Sequence, residues 1–266
     1  MTDPRLVVVG GGKMGAALLA GLLSSGWAKA EELLVVEAMA SRRDELAVDH
    51  PGLGVAAGVA GRAGGAVVAV KPGDVEAACR ALAGAGVHRV LSIAAGVPLA
   101  KLESWLGPGA AVIRAMPNTP ALVGCGAAAI APGSAATEAD LAWAEEILGA
   151  VGKVERVAEP LLDAVTGLSG SGPAYVFLVA EAMIEAGVAV GLPRAVSETL
   201  TVQTILGSAR LLAESGERPE SLRAAVTSPG GTTAAGLAAL EKRAVRSAVM
   251  EAVHAATQRS KELGSE

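Results

Sequence analysis

The chain has 266 residues, of which 34 are glycine and only five aromatic: three Trp, one Tyr and one Phe. Hydrophobic types make up 52 %, charged types 18 %, and the net charge is −5. That balance excludes intrinsic disorder, which needs low hydrophobicity and high charge. The glycines follow no three-residue period, which excludes a collagen-like chain. Two cysteines, Cys79 and Cys125, cannot form a disulfide framework and point to a reducing compartment. No cluster of five or more Lys/Arg occurs, so nucleic acid is not an expected partner.

The mean hydropathy of +0.47 raises the question of a membrane. A spanning helix needs about 20 mostly apolar residues. The longest candidate, residues 174–192, is interrupted by Glu181 and Glu185. The N-terminus lacks the basic and apolar regions of a signal peptide. A soluble, cytoplasmic protein without a membrane partner is therefore expected.

In chain order, Leu6–Val9 reads as a buried strand and Lys13–Ser25 as a helix ending at Gly26. Leu33–Glu37 and Arg42–Val48 repeat the pair, as do Ala66–Val70 with Asp74–Ala83 and Val90–Ile93 with Pro98–Leu106. Ala111–Ala115 and Ala127–Ala131 are further strands, followed by a helix over Thr137–Leu148 and a strand over Val154–Val157. Strands alternating with helices imply βαβ units and a parallel sheet. After Pro160 the pattern turns helical: Leu161–Thr166, Pro173–Ala189, Pro193–Glu214, Pro219–Val226 and Thr232–Leu263, the last with a break near Ala244. The expected class is α/β, with a Rossmann-type domain over residues 1–159 and an all-α domain over 160–266. The segment from Ala174 to Leu192 is nearly apolar all round, which predicts burial against a second subunit.

Gly10-Gly11-Gly12-Lys13-Met14-Gly15 matches G-x-G-x-x-G directly after a strand and at the opening of a helix. In that context the first glycine makes the turn, Gly12 lets backbone approach a pyrophosphate and Gly15 lets helix pack on sheet. The helix amides of Lys13 and Met14 then face the diphosphate. Glu37 lies 22 residues after Gly15, where an acid accepts hydrogen bonds from the adenosine ribose and favours NAD. Arg42, five residues on, could instead hold a 2′-phosphate. Preference between NADH and NADPH stays open.

Five further segments stand in order: Ala69-Val70-Lys71-Pro72, Ser92-Ile93-Ala94-Ala95-Gly96, Arg114-Ala115-Met116-Pro117-Asn118-Thr119-Pro120, Leu168-Ser169-Gly170-Ser171-Gly172-Pro173-Ala174-Tyr175 and Thr227-Ser228-Pro229-Gly230-Gly231-Thr232-Thr233. Together with the glycine turn they resemble the pyrroline-5-carboxylate reductase family over essentially the whole chain. The resemblance implies NAD(P)H-dependent reduction of L-1-pyrroline-5-carboxylate to L-proline, the last step of proline biosynthesis. It implies a Rossmann domain and a helical dimerisation domain, with dimers that assemble into decamers as pentamers of dimers.

The physical reading of these segments agrees. Val70, Lys71 and Pro72, then Ala94 and Ala95, then Met116, Pro117 and Asn118 follow strand ends, where α/β sheets bind ligands. These loops should wall the nicotinamide and its ribose. Arg114 reads equally well as a strand-end charge or a structural pair. Ser228, Gly230, Gly231, Thr232 and Thr233 precede a helix and expose free N–H groups, a nest suited to the substrate carboxylate. Thr233 would offer its hydroxyl to the ring nitrogen as hydride reaches the imine carbon. A plain N-cap role for Thr232 or Thr233 is the competing reading. Ser169 to Pro173 reads as a tight turn, and Tyr175 as a packing residue. No metal ligand set is expected, and His50, His88 and His254 take no chemical role. A β-hydroxyacid-type dehydrogenase would use a lysine early in the helical half, and none occurs between Lys153 and Lys242. A nucleotide-sensing module would leave the glycine–threonine nest unexplained.

Overall fold

A computed structural model describes residues 3–265. The elements are β1 (Leu6–Val9), α1 (Lys13–Ser24), β2 (Leu33–Val36), α2 (Ala40–Asp49), β3 (Gly54–Ala56), β4 (Ala66–Val68) and α3 (Val75–Gly84). They continue with β5 (Arg89–Ser92), α4 (Leu99–Leu106), β6 (Ala111–Met116), β7 (Gly126–Pro132), α5 (Glu138–Gly149) and β8 (Gly152–Arg156). The helical half holds α6 (Leu162–Val165), α7 (Gly172–Ala189), α8 (Arg194–Glu214), α9 (Pro219–Ala225), α10 (Thr232–Lys242) and α11 (Val245–Ser265). Two compact units result. One runs to Ser171 and regains the chain from His254 onward; the other is Gly172–Val253.

The first unit is built on an eight-stranded sheet in the order β3-β2-β1-β4-β5-β6-β7-β8. The chain steps outward from β1 to β2 and β3, then returns to the other side of β1 as β4. That reversal opens a crevice at the carboxyl ends of β1 and β4. Leu6 and Val8 face one side with Leu18, Leu22 and Ile147. Val7 and Val9 face the other with Val75, Leu82 and Leu102. Both faces are covered, which is why β1 is an unbroken apolar run rather than an alternating one. Buried Cys79 belongs to the second layer, and burial pushes its thiol up to about 11.

Three expectations are corrected. β3 was not predicted: Gly54-Val55-Ala56 carries no apolar run and is a half-buried edge strand. The sheet is not wholly parallel, because β7 runs antiparallel to β6. The connection between them is a short turn around Thr119–Val123, too short for a crossover helix. Residues 166–170 form a π-helical turn, not a tight turn. There Ser171 N donates to Thr166 O at 2.8 Å, and the hydroxyls of Thr166 and Ser169 bond back to Leu162 O and Val165 O.

In the second unit α7 pairs with α8. Ser197, 2 % exposed, donates to Ile184 O at 2.8 Å, and a Cβ at Gly187 would overlap its hydroxyl. No large apolar side chain of α7 is buried, and Phe177, Leu178 and Val179 are exposed within the chain. The helical stretch Glu159–Ala189 is long and apolar enough to cross a membrane by length and composition. The predicted break near Ala244 is present: Ala244 has φ +53, among the described residues the one non-glycine position with positive φ.

Candidate functional site

The crevice at β1 and β4 is a cleft of about 570 Å³. Gly10, Gly12, Glu37, Val70 and Lys71 line it together. Each glycine of the turn has its own reason. Gly10 has φ +107, and a Cβ there would sit 2.6 Å from Ala69 O. A Cβ at Gly15 would overlap the Gly10 carbonyl, so helix α1 could not enter against the strand. Gly12, at φ −68, would meet nothing within 4 Å. No internal contact requires glycine at position 12, so the open side is free for a ligand. Gly12 is the N-cap of α1 and makes no side-chain cap bond, and no acid occupies the first turn. The amides of Lys13, Met14 and Gly15 thus begin a helix with no competing anion. These features fit a dinucleotide diphosphate.

Glu37 follows β2 directly. Its Oε2 accepts from Gly11 N at 2.9 Å and its Oε1 from Met39 N at 2.9 Å. Arg42 donates from Nε to Gly11 O at 2.9 Å and from Nη1 to Glu45 at 2.6 Å. It braces the glycine turn from outside and is not among the cleft-lining side chains.

A second cavity of about 450 Å³ lies within the same unit. Pro72, Ala95 and Gly96 line it with Thr166, Ser171 and Ser260. Thr166 and Ser260 were missed, because nothing local in the sequence ties either to the loop after β5, whereas Ser171 belongs to the turn expected near the bound substrate and cofactor. The tie is tertiary: Ser260 Oγ donates to Asp163 Oδ1 at 2.7 Å.

Other predicted residues are not among those that line these cavities. Ala94 is buried in the core layer. Met116 reaches the π-helical turn, its Cε lying 2.6 Å from where a Gly170 Cβ would be. Buried Pro117 continues that strand end. Asn118 spends both ends of its amide on the protein, donating to Ser169 O at 2.9 Å and accepting from Ala127 N at 2.8 Å. Arg114 is a structural pair, 3.0 Å from Glu159, whose Oε1 also accepts from Leu99 N at 2.7 Å.

In the helical unit the N-cap of α10 is Gly231, not a threonine. Gly230 has φ +68, and Gly231 N donates to Ser228 O at 3.0 Å. Thr232 and Thr233 occupy the first helical positions without capping, so their hydroxyls are available to a ligand. Among the described residues, no group of three His, Cys, Asp or Glu is placed to hold a metal ion.

Comparison with known proteins decides the family. Residues 159–263 match the family described as pyrroline-5-carboxylate reductase dimerisation. Pyrroline-5-carboxylate reductase of Synechocystis sp. is 47 % identical over 98 % of both chains. This chain belongs to the pyrroline-5-carboxylate reductase family. The Mycobacterium tuberculosis reductase is 44 % identical over 97 % of this chain and 96 % of its own. The solved reductase from Coxiella burnetii superposes with a TM-score of 0.90 at 34 % identity, covering 98 % of this chain and 99 % of that one. That from Plasmodium falciparum, solved with NADP bound, gives 0.84 at 31 % identity over 99 % of each. Residues 5–96 also match a family described as NADP oxidoreductase, coenzyme F420-dependent. The reductase is thus an oxidoreductase of proline biosynthesis that forms proline from pyrroline-5-carboxylate. Its helical half matches a dimerisation domain, so self-association is supported for this part of the chain.

Proposed function

We propose that the cleft of Gly10, Gly12 and Glu37 holds NADPH or NADH for reduction of L-1-pyrroline-5-carboxylate to L-proline. One observation carries the reading: Gly12 is glycine where no protein atom requires it, at the uncapped start of α1. When bound, the reduced nicotinamide supplies the hydride to the ring imine carbon. The turn amides from Gly12 to Gly15 hold the diphosphate, and Glu37 receives the adenosine ribose, with Arg42 bracing the Gly11 carbonyl. Val70, Lys71, Pro72, Ala94, Ala95, Met116, Pro117 and Asn118 shape the nicotinamide end, partly through main chain. With so few aromatics, that end is aliphatic.

The nest of Ser228, Gly230, Gly231, Thr232 and Thr233 holds the substrate carboxylate. Thr233 hydrogen-bonds the ring nitrogen as the protonated imine becomes an amine. No strong acid is needed, because the imine is already protonated, and catalysis consists of orientation and charge complementarity. We further propose a domain boundary at 159–160, a homodimer through the helical domain that builds a pentamer of dimers, and a cytoplasmic protein with no membrane or nucleic-acid partner. The apolar surface of α7 is then met by protein, not lipid.

The test is direct. Purified protein is mixed with pyrroline-5-carboxylate and each reduced cofactor, and nicotinamide absorbance is followed. Proline formation matched to cofactor oxidation is expected. Oxidation by a keto acid in its place would overturn the assignment.

A further inference from the structure

We propose that Glu37 makes this reductase select NADH over NADPH, by fixing a carboxylate where an adenosine 2′-phosphate would lie; the proposal rests on the assignment of the cleft to the dinucleotide. Gly10 N donates to Val36 O at 2.8 Å, which places the next residue, Glu37, beside the glycine turn. In a doubly wound sheet the residue ending the second strand meets the adenosine ribose. The Glu37 carboxylate is held in place, because it accepts one N–H from each flanking loop, Gly11 at 2.9 Å and Met39 at 2.9 Å. Each oxygen retains acceptor capacity for a ribose hydroxyl. A phosphate in the same place would face a like charge held in position.

A cation could reverse this, and the two arginines nearby are committed elsewhere. Arg42 bonds Gly11 O and is paired with Glu45 at 2.6 Å. Arg43 donates from Nη1 to the carbonyls of Glu37 and Ala38, at 2.8 and 2.7 Å. Neither lines the cleft. The charged side chains that do are Glu37, Lys71 and Asp74, and the last two belong to the loop after β4. On the β2 side the charged side chain that lines the cleft is therefore a carboxylate, while both nearby guanidiniums are bonded to main-chain carbonyls outside the lining.

Binding, not turnover, tests this. Dissociation constants for NADH and NADPH are measured by nucleotide fluorescence on the full-length protein, the Glu37→Ser and Glu37→Gln variants, and Arg42→Ala. The natural protein should bind NADH about tenfold or more tighter. Both Glu37 variants should bring the ratio toward unity, chiefly by gaining NADPH; Glu37→Gln keeps the size of the side chain should Glu37→Ser fold poorly. Arg42→Ala should weaken both nucleotides alike. Equal affinities in the natural protein, an unchanged ratio in both Glu37 variants, or loss of NADPH alone in Arg42→Ala would each overturn the proposal. Binding of neither nucleotide would instead bring down the cleft assignment beneath it.

Discussion

Asn118 donates its side-chain amide to the carbonyl of Ser169 at 2.9 Å, tying the loop after β6 to the π-helical turn. Its carbonyl meanwhile accepts from Ala127 N at 2.8 Å, so one side chain joins three segments. Replacing it by Ala leaves a carbonyl and an N–H without partners. Each partly buried orphan costs about 1–3 kcal/mol. Asn118→Ala should therefore lower the melting temperature by several degrees. It should also weaken cofactor binding, since Met116 and the turn share the disturbed region. A melting temperature equal to that of the natural protein would show that water replaces both bonds.

The glycine turn separates two roles that sequence alone merges. A Cβ at Gly15 would overlap the Gly10 carbonyl, whereas one at Gly12 meets nothing within 4 Å. Gly15→Ala should destabilise the fold by about 1–3 kcal/mol through a forced backbone shift. Gly12→Ala should melt like the natural protein, since its φ of −68 suits alanine, yet bind nucleotide at least about tenfold more weakly. Calorimetric melting and nucleotide titration of the two variants check the contrast. Equal nucleotide affinity in Gly12→Ala would remove the diphosphate from this turn.

What was legible followed from local mechanism. The strand, the three glycines and the helix of the first βα unit lie within 19 residues, and Gly10 and Gly15 each carry a steric reason while Gly12 carries none within the chain. The break at Ala244 was legible from helix length alone. The missed features are those set by distant partners. β3 exists because Leu34, Val35 and Val36 offer it an edge, not because Gly54-Val55-Ala56 favours a strand. The cavity beside Ala95 needs Ser260 and Thr166, 94 residues apart, and their side chains give no local sign of it. The start of α10 at Thr232, by contrast, was legible, with Gly231 as its cap and Gly230 turning at positive φ just before it.

Thr233 offers the next test. It stands in the second position of α10, and its hydroxyl caps nothing. Thr233→Ala should leave the helix and the melting temperature intact. Turnover should fall by about 10²-fold, the scale of one lost hydrogen bond to a developing charge or proton acceptor. Nucleotide affinity should stay within about twofold. Thr233→Ser, which keeps the hydroxyl, should recover most of the rate. Steady-state kinetics of both variants decide it, and unchanged turnover in Thr233→Ala would sink the catalytic role.

Asp140 links stability to pH. Burial of this carboxyl raises its pKa, but the Thr137 hydroxyl and N–H, and then the Arg89 guanidinium, outweigh burial and hold it below the usual carboxylate range. The contacts are short: Thr137 Oγ1 at 2.6 Å, Thr137 N at 2.9 Å and Arg89 Nε at 2.6 Å. They cap α5 and tie it to β5. A carboxyl whose folded pKa lies below its unfolded value stabilises the fold above that unfolded value, about 3.9. The contribution is lost as pH falls through the folded pKa. Asp140→Asn should therefore cost about 1–3 kcal/mol at pH 7. As pH falls through the lowered folded pKa the natural carboxyl itself loses its charge, so the difference should shrink. Denaturant melts of the two proteins across this range measure it. A difference that stays constant with pH would mean that the hydrogen-bond geometry at the cap, rather than the charge on Asp140, sets the cost.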